Sequence, residues 1–569
     1  MKKILISIAA LSLVGTAFAQ EFDDFGGYEE SAAPAVTING EAGVKGRAWI
    51  GLEHDYTKKE NIRDFTVMDG SAYGKLEFNY SADSSDVDVK FKVDSATVKE
   101  NPEDILEEAT ARGFFGNWVI SAGKMKTVWG KGDKLHVIDN FNANNYTDFI
   151  FPDYLDRRLA EPMISLAYSV PNASNIRIEG IVTPSMTADR MATSGTLVPA
   201  AQKNLTETVE GIIKAGLVSN VDALTSGGSA SNVVSAIMGA SSFSSDDLYE
   251  DNIKTIKYAQ AGARMTGTLG SIDWGFSYYY GHYKQPSANL SQIVTAQGYD
   301  LVLTQAKPLV TAAVKAQVEA TVRGALPAGT PDSVIEAAVA GQMADPETKA
   351  MIENISAEKA QEAMGKFYNP NVNPEYNLPL PTLAYDRLQT FGFELATVLW
   401  KFNTRAEVAY NLTEDTAGDN PWIKNNSIGW VVGFDMDLPI HNLNINVQNQ
   451  GSYILKNDKI KDMNEAFREF DVDYNSDDKY TNNKLVINIS DKWLNEKLTT
   501  ECTTIYTIEN KEWCVQPKIE YNAADGLFLT LSGGYLYSDN ENGEFYNFTA
   551  DATKHHRKGF GQVAVKYCF

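Results

Sequence analysis

The sequence predicts an all-β protein, a transmembrane antiparallel β-barrel of about 18 strands (16–18) with short periplasmic turns and long, partly helical outer loops. Three observations predict this fold. Apolar and polar residues alternate with a period of two through most of the 569 residues. Short and long connections alternate between these segments. The first 19 residues have the composition of an export signal, and no later apolar run is long enough for a membrane helix.

The alternation gives each predicted strand one apolar and one polar side. In residues 86–93, charged residues separate Val87, Val89, Phe91 and Val93. Residues 559–569 show the same pattern, with an apolar side made of Val563, Val565, Tyr567 and Phe569. Chain ends usually lie in water, whereas the last strand of a barrel must pair with the first. We therefore expect residues 559–569 to close the barrel against residues 36–54.

The lengths of the connections separate a membrane barrel from other β proteins. Every second connection is a tight turn, such as Gly116-Asn117 or Gly270-Ser271, and most of the others are long. With both chain ends on the short side, this alternation requires an even number of strands. The short connection at Asn510-Lys511, where a long one is due, is the clearest exception. A soluble sandwich or solenoid is the alternative fold.

The N-terminal residues predict export. Lys2 and Lys3 precede an apolar run over residues 4–14, and Ala17-Phe18-Ala19 is a small-residue cleavage site. The chain is therefore divided into a signal peptide at 1–19, a periplasmic segment at 20–35 and the barrel at 36–569. The predicted localisation is the outer membrane, where the barrel would contact outer-membrane lipid.

Two long connections carry predicted helical insertions, near residues 185–253 and 285–381. Both are rich in Ala and Val with helical spacing, and Asp345-Pro346 places a capping residue before a proline at the first helical position. The insertions either cap the mouth of the barrel from outside or fold inward and plug it.

Charge and reactive residues exclude several functions. The formal net charge is -24, and becomes about -26 without Lys2 and Lys3, so nucleic acid is not an expected partner. The six His show no zinc-ligand spacing, and no Ser or acidic motif accompanies them. We therefore predict no catalytic residue, no metal site and no cofactor, and hence no enzyme. Cys502 and Cys514 share a predicted hairpin, but a two-residue turn between their strands would not place them opposite each other, so their bonding stays open.

The segment from Leu106 to Arg158 is the most distinctive part of the sequence. It contains an acidic hairpin at Leu106-Glu107-Glu108-Ala109, then Gly123-Lys124, then Trp129-Gly130 with Gly132-Asp133, and a loop that ends in Asp156-Arg157-Arg158. This arrangement resembles uncharacterised porin-like outer-membrane proteins of Gram-negative bacteria and spirochaetes, although the loop end lacks their spacer between Asp and Arg-Arg. The resemblance covers about a tenth of the chain and implies a porin-like barrel.

The same resemblance extends to the last strand. Outer-membrane barrels commonly end in an aromatic residue that the barrel assembly machinery recognises. By this resemblance, Val565, Tyr567 and Phe569 are the expected assembly signal and the assembly machinery an expected partner.

The loop after Trp129 carries enough charge to fold into a wet lumen. We expect it to form a pore constriction of opposed charges, with candidate residues Asp133, Asp139, Asp153, Asp156, Arg157 and Arg158. The alternative is an outer loop whose ion pairs only hold its own shape.

The polar sides of the strands define the predicted lumen wall. Its candidate cations are Arg47, Lys90, Lys92, Arg177, Arg264, Arg405 and Lys518. They face acidic wall residues that include Glu77, Asp88, Glu179 and Glu407, so the lumen is roughly balanced in charge or slightly basic. Such pairs either select solutes or only strengthen the wall.

These features favour an outer-membrane porin or channel for diffusion of small polar solutes, with a monomer favoured over a trimer. The alternative is a surface adhesin or host-interaction barrel with a blocked lumen, which conductance measurements would distinguish. The sequence does not specify the solute or the open radius.

Overall fold

The computed structural model describes residues 35–51, 65–133, 135–148, 154–171, 174–191, 252–289, 297–327, 329–365, 382–463, 468, 471–540, 542–546 and 557–569. The predicted signal peptide, most of the insertion near 185–253 and the candidate residue Asp153 lie outside these residues. The predictions that concern them stay predictions.

Eighteen strands form one antiparallel sheet that closes on itself. Its first nine strands are β1 Ala35–Gly51, β2 Phe65–Ala82, β3 Ser85–Asp94, β4 Leu106–Phe115, β5 Trp118–Met125, β6 Glu161–Ser169, β7 Arg177–Thr183, β8 Gln260–Leu269 and β9 Ile272–His282. The other nine are β12 Arg387–Leu399, β13 Phe402–Leu412, β14 Ser427–Asp437, β15 Asn444–Ile454, β16 Thr481–Trp493, β17 Leu498–Thr507, β18 Glu512–Ala524, β19 Leu527–Tyr537 and β20 Arg557–Cys568. Between β9 and β12, the short strands β10 Ser287–Asn289 and β11 Thr382–Ala384 pair only with each other in the described structure.

Each barrel strand pairs with its neighbours in sequence, β9 pairs with β12, and β20 pairs with β1. The predicted fold, a closed antiparallel barrel of 18 strands, is therefore confirmed. Some boundaries differ clearly. Strand β2 begins at Phe65 rather than Gly70, β8 at Gln260 rather than Lys254, and β12 at Arg387 rather than Thr382. The predicted fifth strand runs to Trp129, whereas β5 ends at Met125 and the chain then leaves the wall.

The connections alternate in length as predicted. Eight turns at one end join β2 to β3, β4 to β5 and so on round the barrel, and we call this the short-turn end. The opposite, long-loop end carries the remaining connections. The predicted exception is also present, since only residues 508–511 join β17 to β18 and Lys511 adopts a left-handed φ of 56°.

The two sides of the sheet differ in chemistry. Along β20 the outward side chains Val563 and Tyr567 are 59% and 49% exposed, whereas their inward neighbours are half-buried. Outward aromatic pairs lie near both ends: Trp118 packs on Tyr168 at 4.5 Å by the short turns, and Tyr506 on Trp513 at 4.2 Å by the long loops. Apolar residues between two aromatic belts are the surface that a barrel presents to lipid.

Helices lie in the connections of the long-loop end. They are α1 Ser95–Lys99, α2 Tyr154–Arg157, α3 Gln297–Ala325, α4 Asp332–Ala344, α5 Pro346–Gly365 and α6 Asn457–Asp462. The predicted cap is present: the Asp345 carboxylate accepts hydrogen bonds from the Glu347 and Thr348 amides at the start of α5. Helices α3 and α5 share a small core that includes Val310, Val314 and Ile352. Among the described helices, none combines the length and apolarity of a membrane span.

All three cysteines carry free thiols. In the β17–β18 ladder, Cys502 lies opposite Pro517 and Cys514 lies opposite Ile505. The register thus keeps the two thiols of this hairpin apart, as the two-residue turn predicts.

The seam between β1 and β20 closes the barrel. The Gly40 and Phe569 backbones exchange two hydrogen bonds, N–H to O at 2.9 Å each. A Cβ atom at Gly40 would lie 2.1 Å from the Phe569 ring, so the ring covers the position that a side chain would need. Val565, Tyr567 and Phe569 all face outward and are 37–49% exposed. Their recognition by assembly machinery stays a prediction.

We predict that Gly40→Val impairs closure of the barrel. A side chain there must displace the Phe569 ring, and overpacking of this kind typically costs about 1–3 kcal/mol. Gly46→Val is the matched control, because Gly46 lies on the same side of the same strand with nothing within 4 Å of an added Cβ. The fraction of protein that migrates as a folded barrel on an unheated gel should fall for Gly40→Val alone. Equal behaviour of the two variants would contradict the role of the seam.

Buried carboxylates connect the loops of the long-loop end. The Asn425 amide, in the loop before β14, donates to Asp473 at 2.7 Å, and the Asp473 amide donates to Asp471 at 2.8 Å. The other Asp471 oxygen is buried without a hydrogen-bond partner. Burial, reinforced by the charges of Asp473 and Asp415, raises the pKa of Asp471 to about 7. Burial, reinforced by the charge of Asp386, raises the pKa of Asp473 to about 6 against the opposing charge of Lys424.

This cluster predicts that acid stabilises the loop contact. Both pKa values lie above the ordinary 3.8, so the contact is most stable below about pH 4 and weakens as pH rises through 6–7. Amide hydrogen exchange in residues 471–474, corrected for intrinsic rates, should therefore be faster at pH 8 than at pH 5. Asp471→Asn keeps the accepting oxygen and removes the charge, so it should flatten this dependence. Asp478→Asn in the same loop is the control and should leave it unchanged.

Candidate functional site

Residues 126–160 connect β5 to β6, and we call them the lumen loop. Their described part, residues 126–133, 135–148 and 154–160, folds into the barrel. Their side chains and backbone contact inward-facing residues of β1, β2, β7, β12, β13 and β15. The contacted strands lie on opposite sides of the barrel, so the loop crosses the lumen. This is the placement that the sequence predicts, rather than that of an outer loop.

Aromatic packing fixes the start of the lumen loop against the wall. Trp129 is 1% exposed and packs edge-on against Phe141 at 5.0 Å, and Phe141 packs edge-on against Tyr279 of β9 at 5.2 Å. The Trp129 indole N–H donates to the Glu179 carboxylate of β7 at 3.1 Å. Gly262 of β8 makes room for the two rings, since a Cβ there would lie 2.8 Å from Trp129.

The Glu407 carboxylate of β13 is the main polar anchor of the loop. Its Oε1 accepts from the Gly132 amide at 2.6 Å and lies 2.8 Å from His136 Nδ1, and its Oε2 accepts from the Val137 amide at 2.9 Å. Glu407 is fully buried. Gly130 has a φ of 121°, and a Cβ there would lie 2.2 Å from the carboxylate. The Trp-Gly-x-Gly motif is therefore a turn that fits the loop onto Glu407.

Arg158 and Asp139 form a buried pair inside the loop, contrary to the expectation that both line the constriction. Their side chains are joined at 2.9 Å and are 1% and 0% exposed. Arg158 also donates to the Thr127 carbonyl and to the Asn142 side chain. Asn142 in turn donates to the Met125 and Leu159 carbonyls, one on each stem. The pair and Asn142 thereby join the beginning and the end of the loop. An ion pair at this depth is stable only with such surrounding hydrogen bonds.

Asp148 fixes the far side of the lumen loop to β1. Its carboxylate accepts two hydrogen bonds from the Arg47 guanidinium, at 2.9 and 3.1 Å, and one from Lys45 at 3.1 Å. Burial alone would raise the pKa of Asp148, but the two cations hold it below the ordinary value. Arg47 is itself 7% exposed, so this predicted wall cation serves mainly to hold the loop.

Two candidate constriction residues reach open space. The Asp133 side chain is 43% exposed, accepts from Asn446 at 2.7 Å and lies 3.8 Å from Arg405. The Asp156 side chain is 60% exposed and lies 3.6 Å from Lys75 of β2. Arg157 is half-buried and stacks on the Tyr146 ring at 5.8 Å. Of the described candidates, Asp133 and Asp156 thus present charge toward the open lumen.

The seven predicted wall cations occupy inward positions of the ladder. In several rows they lie opposite carboxylates: Lys90 pairs with Glu77, Glu179 with Arg264, and Glu501 with Lys518. Arg264 contacts Glu394 of β12, and Arg405 lies 3.0 Å from Asp435. The acidic hairpin residue Glu107 binds Lys126 at 2.9 Å, at the point where the chain leaves the wall.

Sequence reasoning missed what these contacts do. It placed Glu407 on the lumen side but not beneath the loop, and it did not single out Glu394 or Asn142. The paired glycines beside Trp129 are the one local signal, since they mark a close backbone approach. Among the described residues, no three His, Cys, Asp or Glu side chains are grouped as a metal site.

Several solved structures align with most of this chain at low sequence identity. The outer membrane channel DcaP of Acinetobacter baumannii is 10% identical, with 96% of this chain and 100% of that chain covered and a TM-score of 0.35. OccAB4 of the same organism is 8% identical, with 94% of this chain and 98% of that chain covered and a TM-score of 0.39. A BenF-like porin from Pseudomonas fluorescens is 7% identical over 94% and 98%, with a TM-score of 0.37.

No protein-family model matches the chain. No curated protein matches it either. The barrel fold follows from the strand pairing of this chain itself.

We predict that Glu407→Gln loosens the lumen loop. An amide cannot accept at both oxygen positions, so one set of contacts to Gly132, His136 or Val137 is lost. A hydrogen bond to a charged group contributes about 1.5–3 kcal/mol, and each 1.4 kcal/mol changes an equilibrium constant about tenfold. The hydrogen-exchange rates of the Gly132 and Val137 amides should therefore rise at least about tenfold. Glu77→Gln is the control, because this wall carboxylate contacts Lys90 and no described part of the loop. Unchanged exchange in Glu407→Gln would show that the other contacts of the loop hold it without this carboxylate.

Proposed function

We propose that this protein is an outer-membrane channel through which small polar solutes diffuse, and that the lumen loop forms its constriction. The proposal assigns no catalytic role to the barrel. A channel function of this kind depends on the size of the lumen and on the groups that line it.

The observation that carries the proposal is the uneven exposure of inward-facing residues. Where the lumen loop packs, wall residues such as Glu407 and Tyr279 are fully buried. On the arc formed by β18, β20, β1, β2 and β3, inward lysine side chains remain 31–42% exposed. Solvent therefore reaches these inward lysines beside the loop, which supports a loop whose described residues narrow the barrel without filling it.

The outer surface supports the membrane location. Apolar side chains exposed on the outside, between aromatic pairs at both ends, have no stable place in water and fit a lipid bilayer. Together with the predicted signal peptide, this surface supports insertion in the outer membrane. Monomeric assembly and recognition of Phe569 by assembly machinery remain predictions of the same proposal.

We expect the purified protein to form conductance steps in planar bilayers, and Asp133 to lie at the constriction. Asp133→Cys should be modified by a bulky thiol reagent, and the single-channel conductance should then fall by at least about half, because a group in a narrow pore excludes ions. Glu347→Cys, in helix α5, is the matched control. The wild type treated with the same reagent controls for the three native thiols.

The outcomes of this experiment separate the alternatives. A folded wild-type barrel without conductance would contradict the channel and favour a surface-binding barrel with a blocked lumen. A conducting channel that the reagent leaves unchanged at Asp133 would place the constriction elsewhere.

A further inference from the structure

The exposed arc of the lumen wall is charge-compensated. Six inward lysines lie on β18, β20, β1, β2 and β3, and each has a carboxylate oxygen within 3.1–4.0 Å. Some partners belong to the wall, as Glu108 for Lys90 at 3.3 Å and Glu501 for Lys518 at 3.7 Å. Another belongs to the lumen loop, as Asp148 for Lys45 at 3.1 Å.

A wall of this kind discriminates weakly between anions and cations. The potential of an adjacent pair of opposite charges falls off faster than that of a single charge, and the electrolyte in an open lumen screens the remainder within about 8 Å at physiological salt. An ion that passes each pair meets attraction and repulsion at nearly the same depth. Neither sign of ion is therefore concentrated along this arc.

The inward positions between the paired charges carry neutral hydrogen-bonding groups. On β17 to β20 they include Thr503, Gln516, Thr530, Ser532 and Gln562. Amides and hydroxyls both donate and accept, and each retains capacity beyond its contacts within the wall. A solute rich in hydroxyl groups can exchange its hydration for contacts of the same kind along this path.

We infer that the pore favours neutral, hydroxyl-rich solutes over ions of similar size, and that Glu41 maintains this preference. The inference rests on the proposed channel function. Glu41 of β1 lies between two lysines, 3.5 Å from Lys75 and 4.0 Å from Lys566. It therefore compensates the charge of two neighbouring strands on the exposed arc.

The two lysines differ in whether another carboxylate lies near them once the Glu41 charge is removed. Lys75 also lies 3.6 Å from Asp156 of the lumen loop. For Lys566, the Glu41 carboxylate is the partner at the seam, and its ammonium also lies over the Phe528 ring. Neutralising Glu41 should thus leave a positive charge at Lys566 on the short-turn side of the constriction.

The test measures reversal potentials in a potassium chloride gradient for three variants. The wild type should show an anion-to-cation permeability ratio within about twofold of unity, because paired charges cancel. Glu41→Gln should shift the ratio toward anions, and Lys566→Gln should shift it toward cations. The double variant Glu41→Gln with Lys566→Gln removes the pair as a unit and should return to the wild-type ratio.

A second measurement uses neutral and charged solutes of one size. In proteoliposome swelling, the wild type should admit glucose faster than gluconate or glucosamine, and Glu41→Gln should raise the gluconate rate. A conducting wild type that prefers gluconate or glucosamine, or a ratio unchanged in both single variants, would overturn the inference and leave the channel intact. Absence of conductance in folded wild type would overturn the proposed function and this inference together.

Discussion

The rest of the structure depends on closure of the sheet. A strand edge exposed to lipid would leave its backbone N–H and C=O groups without partners, so the eighteenth strand must pair with the first. The seam achieves this with a continuous ladder between β20 and β1 that ends in the reciprocal hydrogen bonds of Gly40 and Phe569. Closure also fixes the alternation, because the ladder determines which side chain of every strand points to lipid and which to water.

Closure creates a lumen, and the buried Glu407 carboxylate helps to determine where the lumen loop lies within it. Glu407 is surrounded by wall and loop, where an ionised group is stable only with several donors. The Gly132 and Val137 amides donate to it and His136 Nδ1 lies 2.8 Å from Oε1, so the anchor and the loop need each other. The aromatic contacts of Trp129 and Phe141 fill the space beside β8 and β9, while inward lysines of β1, β2 and β3 stay 31–37% exposed.

The sequence determined the wall far better than the loop contacts. Alternation of period two is a local signal, and it located all 18 barrel strands, although β2 and β8 begin five and six residues away from their predicted starts. At β5 the pattern was ambiguous, because Lys124 and Lys126 fall on the side of Ile120 and Ala122, and the chain leaves the wall after Met125. The contacts of the lumen loop join residues far apart, as His136 and Glu407 are 271 positions apart, and no local pattern encodes them. The same reason explains Arg158, whose charge suggested a lumen position but whose partners lie on both loop stems.

A passing ion meets two electrostatic influences, one from the acidic connections and one from the paired charges of the lumen wall. The chain has a net charge of -24, whereas the exposed arc of the lumen has its lysines paired with carboxylates. Much of the excess acid therefore belongs to connections. A negative mouth attracts cations over a distance set by the Debye length, which is about 30 Å at 0.01 M salt and about 3 Å at 1 M. Any cation preference that comes from the mouth should disappear in concentrated salt, whereas the behaviour of the paired wall acts at contact distance and persists.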